Sequence, residues 1–379
     1  MNKKYFSNKW LIAGFFILLL SKCKVPYDPP IKSSATHYLV VEGYMNGNGV
    51  TSIKLSRTRN ITSGDTAAYI NETGAHVELQ DQANNSYPLN EAGNGNYTGN
   101  FYLYAGNSYR VHIKTTDNKE YVSDFVPFKQ SPAIDQVGWN LKDGGVQIFV
   151  NTHDPENKTI FYRWQYQETW EFHSQYYSTL KYNALDTTVI PRTTPVYQCW
   201  RSQNSTSILL GSSAKLKEDV INQAPMVYIP DHDKRISVLY SILVTQYALD
   251  SSGYNYWTAM KANTENVGSI FDPQPNMTRG NIHCVSDPSE TVIGYIGAGN
   301  SVQQRIFIRN ADLPADWNLV PDCTEYLVPN IPDSLAFYFS NSSYVPYLQD
   351  RATGAYLSAT GHCVDCTLTG SNVKPTFWP

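Results

Sequence analysis

Charge is scarce in this chain. Asp, Glu, Lys and Arg make up only 16% of its 379 residues, and 29 basic against 33 acidic side chains leave a formal net charge of -4. With no basic stripe or polybasic run, nucleic-acid binding and attachment to an anionic lipid surface are set aside. A Walker loop, a Gly-x-Ser-x-Gly elbow and a His-Glu-x-x-His pair are all missing, so the common signatures of nucleotide hydrolysis, serine acyl transfer and zinc proteolysis are absent, and no cofactor motif is present. There is no tandem repeat. No apolar run reaches the roughly 20 residues that a helix needs to cross a bilayer; the run Trp10 to Leu20 has 11.

The flanks of that run are informative. Lys3, Lys4 and Lys9 lead into it, and Leu20-Ser21-Lys22-Cys23 ends it. A positive start, a short apolar stretch and a cysteine at the exit describe a bacterial lipoprotein signal peptide over 1–22. The ending resembles a lipobox, with Lys22 where a small residue is usual. The expectation is a mature chain that begins at Cys23, acylated on its thiol and amine. Residues 23–36 hold Pro26, Pro29 and Pro30 and read as an extended tether of at most about 40 Å.

The remaining roughly 357 residues suffice for two or three domains. They contain 28 Tyr, 14 Phe and 8 Trp, the profile of a β-rich extracytoplasmic protein. Tyrosine suits half-buried strands, ring inward and hydroxyl wet; it also suits a surface that stacks on sugars or docks a protein. From 37 to 129 the apolar period is two, as in Tyr109, Val111 and Ile113, and Asn-Gly turns such as Asn94-Gly95 punctuate it. About seven short strands in this span predict an immunoglobulin-like β-sandwich. Pro127 and Pro132 bracket a junction to a second β-rich, elaborated fibronectin-like domain over 130–379. There the runs Val146–Thr152 and Phe161–Tyr166 are expected to pair, as are 291–296 and 305–309. A short helix is expected at Lys215–Ile221, and a longer one at 251–266 with Tyr254, Trp257, Met260 and Lys261 along one flank.

Candidate chemistry is thin. Ser212 and Lys215 match Ser-x-x-Lys, but no Ser-Asp-Asn or Lys-Thr-Gly follows, so chance is the better account. Glu168 and Glu171 resemble a glycosidase pair, yet on a strand they face opposite ways. Asp231-His232-Asp233 reads as a polar turn rather than a metal site. Beyond Cys23 stand Cys199, Cys284, Cys323, Cys363 and Cys366. Their odd number leaves at least one unpaired. An oxidising compartment makes disulfides the default, with Cys323 to Cys363 or Cys366 as the favoured pairing. A zinc site in the His362–Cys366 tail lacks a second ligand pair, so no metal is assigned.

Six segments in one order, among them Val41-Glu42-Gly43-Tyr44, Tyr162-Arg163-Trp164, Tyr240–Tyr247, Gly268–Pro275, Gly294-Tyr295-Ile296 and the Cys363-Val364-Asp365-Cys366 tail, resemble one family. It is the Bacteroidetes outer-membrane lipoprotein family catalogued as domain of unknown function 4249. The resemblance implies an outer-membrane location, a gene beside a TonB-dependent receptor and no established activity, so no catalytic residue is transferred. It also makes Thr66, Thr187 and Ser334 candidate O-glycosylation sites, because each follows Asp and precedes an aliphatic or similar residue. The expected role is a non-enzymatic accessory of a TonB-dependent transporter in cargo capture or gating. The alternatives are a free-standing glycan- or peptide-binding lipoprotein and a hydrolase whose site is assembled from distant residues.

Overall fold

The computed structural model describes residues 37–59, 69–265, 278–317, 322–341 and 343–379. The expected signal peptide, the tether, Cys23 and Thr66 lie outside them. The described chain is mostly β. Nine strands come first: Leu39–Asn46 (β1), Val50–Thr58 (β2), Tyr69–Asn71 (β3), His76–Asp81 (β4), Ser86–Gly93 (β5), Asn96–Asn100 (β6), Ser108–Lys114 (β7), Glu120–Ser123 (β8) and Val126–Lys129 (β9). Period-two patterning accounts for them. On β7, Tyr109, Val111 and Ile113 are buried while Arg110 and His112 stay partly exposed. The β5–β6 turn uses Asn94 and Gly95 at φ 54° and 73°, the left-handed pair that a tight hairpin requires.

The next elements are Ile134–Lys142 (β10), Gly145–His153 (β11), Phe161–His173 (β12), Leu180–Asn183 (β13), Thr188–Pro191 (β14), Gln198–Asn204 (β15), Leu209–Ser212 (β16), Val220–Pro230 (β17), Leu239–Ala248 (β18) and the helix Ser251–Glu265 (α1). They are followed by Ile282–Cys284 (β19), Val292–Ile293 (β20), Gly297–Gly299 (β21), Ser301–Arg309 (β22), Glu325–Val328 (β23), the helix Pro332–Phe339 (α2), Tyr344–Gln349 (β24), Tyr356–Thr360 (β25) and the short helix Gly361–Val364 (α3).

Strands β7-β4-β5-β6-β2-β1-β21-β9 form a sheet that closes when β9 pairs back to β7. The result is an eight-stranded, barrel-like body, with β8 and β19 extending from β7. This differs from a two-sheet sandwich confined to 37–129, because β21 comes from residues 297–299. It runs parallel to both neighbours, with Tyr44 opposite Gly297 and Ala298 opposite Phe128. Without it β1 and β9 would each present an open edge of unpaired backbone groups. Ile296 and Ala298 share one core with Leu39, Val41, Ile53, Leu55 and Val111.

The second body has a three-stranded sheet, β10-β11-β17, and a five-stranded one, β15-β12-β18-β22, with β16 also on β12. Val146, Ile148, Ile229, Tyr162, Trp164, Ile242 and Val244, drawn from both sheets, fill a common core. Two expected pairings are corrected here. β11 pairs with β10 and β17, whereas β12 pairs with β15, β16 and β18. Likewise, β20 joins β1 and β22 joins β18. Alternation identifies the faces of a strand but not its edge partner, because pairing is made by backbone hydrogen bonds that side-chain period does not encode. Residues 214–218 form turns rather than a helix, and β17 begins at Val220.

A smaller sheet, β23-β25-β24, closes the C-terminal side. Cys323 bonds Cys363 and Cys199 bonds Cys366, leaving Cys284 free and buried. The first bridge is one of the two pairings expected for Cys323. Cys366 takes a partner not foreseen, since Cys363 packs in the small sheet's core and Cys366 in that of the large body. Two cysteines three positions apart thus staple two different cores.

Candidate functional site

The seam between the barrel and the second body holds a cleft of about 390 Å³, within the range of small-molecule sites. Its floor is strand β12. Tyr162 and Trp164 turn into the core at 0% and 1% exposure, so strand alternation places Arg163 on the opposite face. Helix α1 crosses that face. Asp250 caps the helix, accepting from the Gly253 amide at 2.8 Å, and also accepts from the Tyr295 hydroxyl at 2.9 Å. This fixes the helix against the barrel's Gly294–Ile296 segment. Tyr256 stacks on Tyr295 at 5.2 Å between ring centroids. Tyr256 is the most buried side chain of α1, although the expected flank omitted it. The barrel supplies β1 and the segment after β20. Gly294 has φ +131°, and a Cβ there would stand 2.0 Å from the Val41 carbonyl oxygen. Only glycine permits this backbone approach.

Arg163 is the distinctive group. Its guanidinium lies 3.7 Å from the centre of the Trp257 ring and 5.9 Å from that of Tyr247, its cross-strand neighbour. It is only partly exposed, and burial pushes it down to about 10, so it remains cationic at neutral pH. The groups acting on it electrostatically are the phenols of Tyr247, Tyr44 and Tyr256; no carboxylate is among them. Among the described residues it has no hydrogen-bond acceptor and no ion pair. Tyr44 meets Tyr247 edge-on at 4.9 Å. The Tyr44 hydroxyl is buried without a hydrogen-bond partner, and burial, then Tyr247 beside it, raises its pKa. A guanidinium of limited exposure is ordinarily paired within the fold, so Arg163, with no acceptor among the described residues, marks this cleft as a candidate place for something else to bind.

A family model described as a domain of unknown function (DUF4249) matches residues 24–305. The chain belongs to the DUF4249 family. No curated protein matches it. The likeness read from the sequence as reaching the Cys363–Cys366 tail extends, in the family match, to residue 305. Every cleft residue named above falls inside the matched DUF4249 span. Cys323, Cys363 and Cys366 fall outside it, so the Cys199–Cys366 bridge ties the matched region to the C-terminal segment beyond residue 305.

The residues singled out from sequence take other roles in this DUF4249 member. Glu168 accepts from Arg235 Nη1 and from the Tyr240 hydroxyl, each at 2.9 Å. Glu171 accepts from Gln198 at 2.7 Å and from Trp378 Nε1 at 2.8 Å. The two carboxylates are thus held apart by separate partners, as strand alternation requires. Asp233 caps a single 3-10 turn and binds Arg235. Ser212 accepts from the Ala214 amide at 3.2 Å, and Lys215 is exposed. The ligand atoms of Cys323, His362 and Cys363 lie within 4.8 Å of one another, but here the two thiols are joined as a disulfide. Thr187 sits in the β13–β14 turn and Ser334 in the first turn of α2, both partly exposed. Sequence reasoning missed the cleft. The clue available was an arginine placed between two aromatic core residues of one strand, hence on the strand's other face.

Proposed function

We propose that this chain is a non-enzymatic binding protein of a bacterial outer membrane, anchored through Cys23 and working as accessory to a TonB-dependent transporter in cargo capture or gating. The observation that carries the binding reading is the aromatic-walled cleft with a guanidinium that has no partner among the described residues. Its described lining includes no histidine or cysteine, and the carboxylate there, Glu42, is exposed. Such a set of groups holds a ligand and offers no nucleophile paired with a base. Acylation would confine the body to the membrane surface and raise its effective concentration near a partner, so a weak contact suffices. The strand order β10-β11-β17 against β15-β12-β18-β22 supports reading the second body as an elaborated fibronectin-like module.

Purification from native membranes in mild detergent tests the accessory role. The expected result is a TonB-dependent receptor recovered with the lipoprotein; recovery of the lipoprotein alone sinks that role. A free-standing glycan or peptide binder is the second reading. It is favoured by Tyr102 and Tyr104, 82% and 66% exposed on the loop between β6 and β7, where rings are free to stack on a sugar. Binding arrays that stay blank with the wild type would remove it.

A further inference from the structure

We propose that the cleft is a carboxylate-recognition site in which Arg163 receives the carboxylate of a largely apolar ligand, either a free organic acid or the C-terminus of a peptide. This deepens the binding reading above and rests on it. Arginine presents five donors and no acceptor, in a planar fork that matches a carboxylate bidentately. Trp257 covers the guanidinium at 3.7 Å, and stacking on a ring orients the fork before a ligand arrives. No described acid is paired with it. Asp250 is engaged by Tyr295 and the Gly253 amide, the lining carboxylate Glu42 is exposed, and the groups named as acting on Arg163 are tyrosines. Leaving a partly buried cation without a counterion among the described residues is costly, and an entering carboxylate would offset that cost.

The surroundings select among anions. Val40, Val41, Met260 and Ile293 line the same cleft and suit an apolar body behind the charged head. Phosphate sites usually gather several cations or a run of backbone amides. Arg163 is the single cationic side chain among the described residues of this lining, which fits the single charge and planar shape of a carboxylate. Tyr44 also lines the cleft, while its hydroxyl is buried against Gly299.

Calorimetric titration of the mature, detergent-purified chain tests this. The probes are benzoate, hexanoate and Gly-Gly-Phe with a free C-terminus, against benzamide, phenyl phosphate and Gly-Gly-Phe amide, each to about 5 mM. The expected result is saturable binding of an acid or the free-ended peptide, with its neutral counterpart about 30-fold weaker. Binding by the simple acids alone identifies a small-molecule cargo, and binding by the peptide alone identifies a chain terminus. Arg163→Gln should lose about 30-fold in affinity with its melting temperature unchanged or raised, and Arg163→Lys, which keeps the charge but not the fork, should lose about tenfold. The absence of saturable binding by every carboxylate overturns the proposal. So does full affinity in Arg163→Gln, or tighter binding of phenyl phosphate than of benzoate. Membrane co-purification reports the accessory role and titration the ligand class, so either can fail alone.

Discussion

The two ends of strand β12 treat buried charge in opposite ways. Near its C-terminal end Glu168 is almost wholly buried yet satisfied by Arg235 and Tyr240, and Asp233 holds the other side of the same guanidinium at 2.9 Å. Burial alone would lower Arg235, but hydrogen bonding to Asp233 and the field of Glu168 outweigh it and raise it above the ordinary arginine value. Near the N-terminal end Arg163 is, like Arg235, only partly exposed, and there burial prevails and lowers it. The residue type and the body are the same, and the shifts have opposite signs. A guanidinium that the fold itself satisfies is a structural element. One that has no partner among the described residues, beside an open volume, is available to a solute.

That comparison can be broken by measurement. The largest effect is expected where covalent and buried polar constraints meet. Phe172 of β12 is in register with Cys199, and the Cys199–Cys366 bridge closes a separation of 167 residues. Replacing both cysteines by alanine should cost about 4 kcal/mol in denaturant unfolding while ligand titration at the cleft stays intact. Glu168→Ala should come next. It strips Arg235 and Tyr240 of an acceptor at a site only 4% exposed, for a loss of about 3 kcal/mol by the same measurement.

A smaller effect is expected at the loop that enters β12. Asp154 accepts from the amides of Glu156 and Lys158 at 3.0 Å and of Thr159 at 2.9 Å. Burial alone would raise its pKa, but these donors prevail and hold it below the usual aspartate value. Its stabilisation is therefore complete above that ordinary value and fades as pH falls through the lowered one. Asp154→Asn should cost about 1 kcal/mol at neutral pH and flatten the acid limb of a stability-against-pH curve. Arg163→Gln should have the smallest effect on stability, within about 0.5 kcal/mol of wild type or slightly stabilising. A loss as large as that of Glu168→Ala would show that the two ends of β12 are alike and that Arg163 is part of the scaffold.

Much of the fold was legible where the pattern is local. Alternation on β7, the Asn94-Gly95 turn and the helix at 251–265 follow from neighbouring residues alone. The closure of the barrel does not. Gly297–Gly299 carries almost no side chain with which to announce a strand, and its pairing depends on two edges far away in the chain. The Cys366 partner was hidden for a related reason: which core a cysteine faces is decided by packing, not by spacing. Glu168 and Glu171 were placed correctly on opposite faces, because period two is a property of the strand itself.

Composition and local pattern determined by themselves that this protein is β-rich, weakly charged and without a recognisable catalytic motif, since backbone preferences and side-chain alternation act over a few residues. Tertiary structure alone decided that Val41–Tyr44, Arg163, Tyr247, Trp257 and Tyr295 meet at one seam, and that the cation there has no ion pair among the described residues. Whether a charge is satisfied depends on what stands within a few ångströms of it, and in a sheet protein those neighbours come from strands a hundred or more residues away.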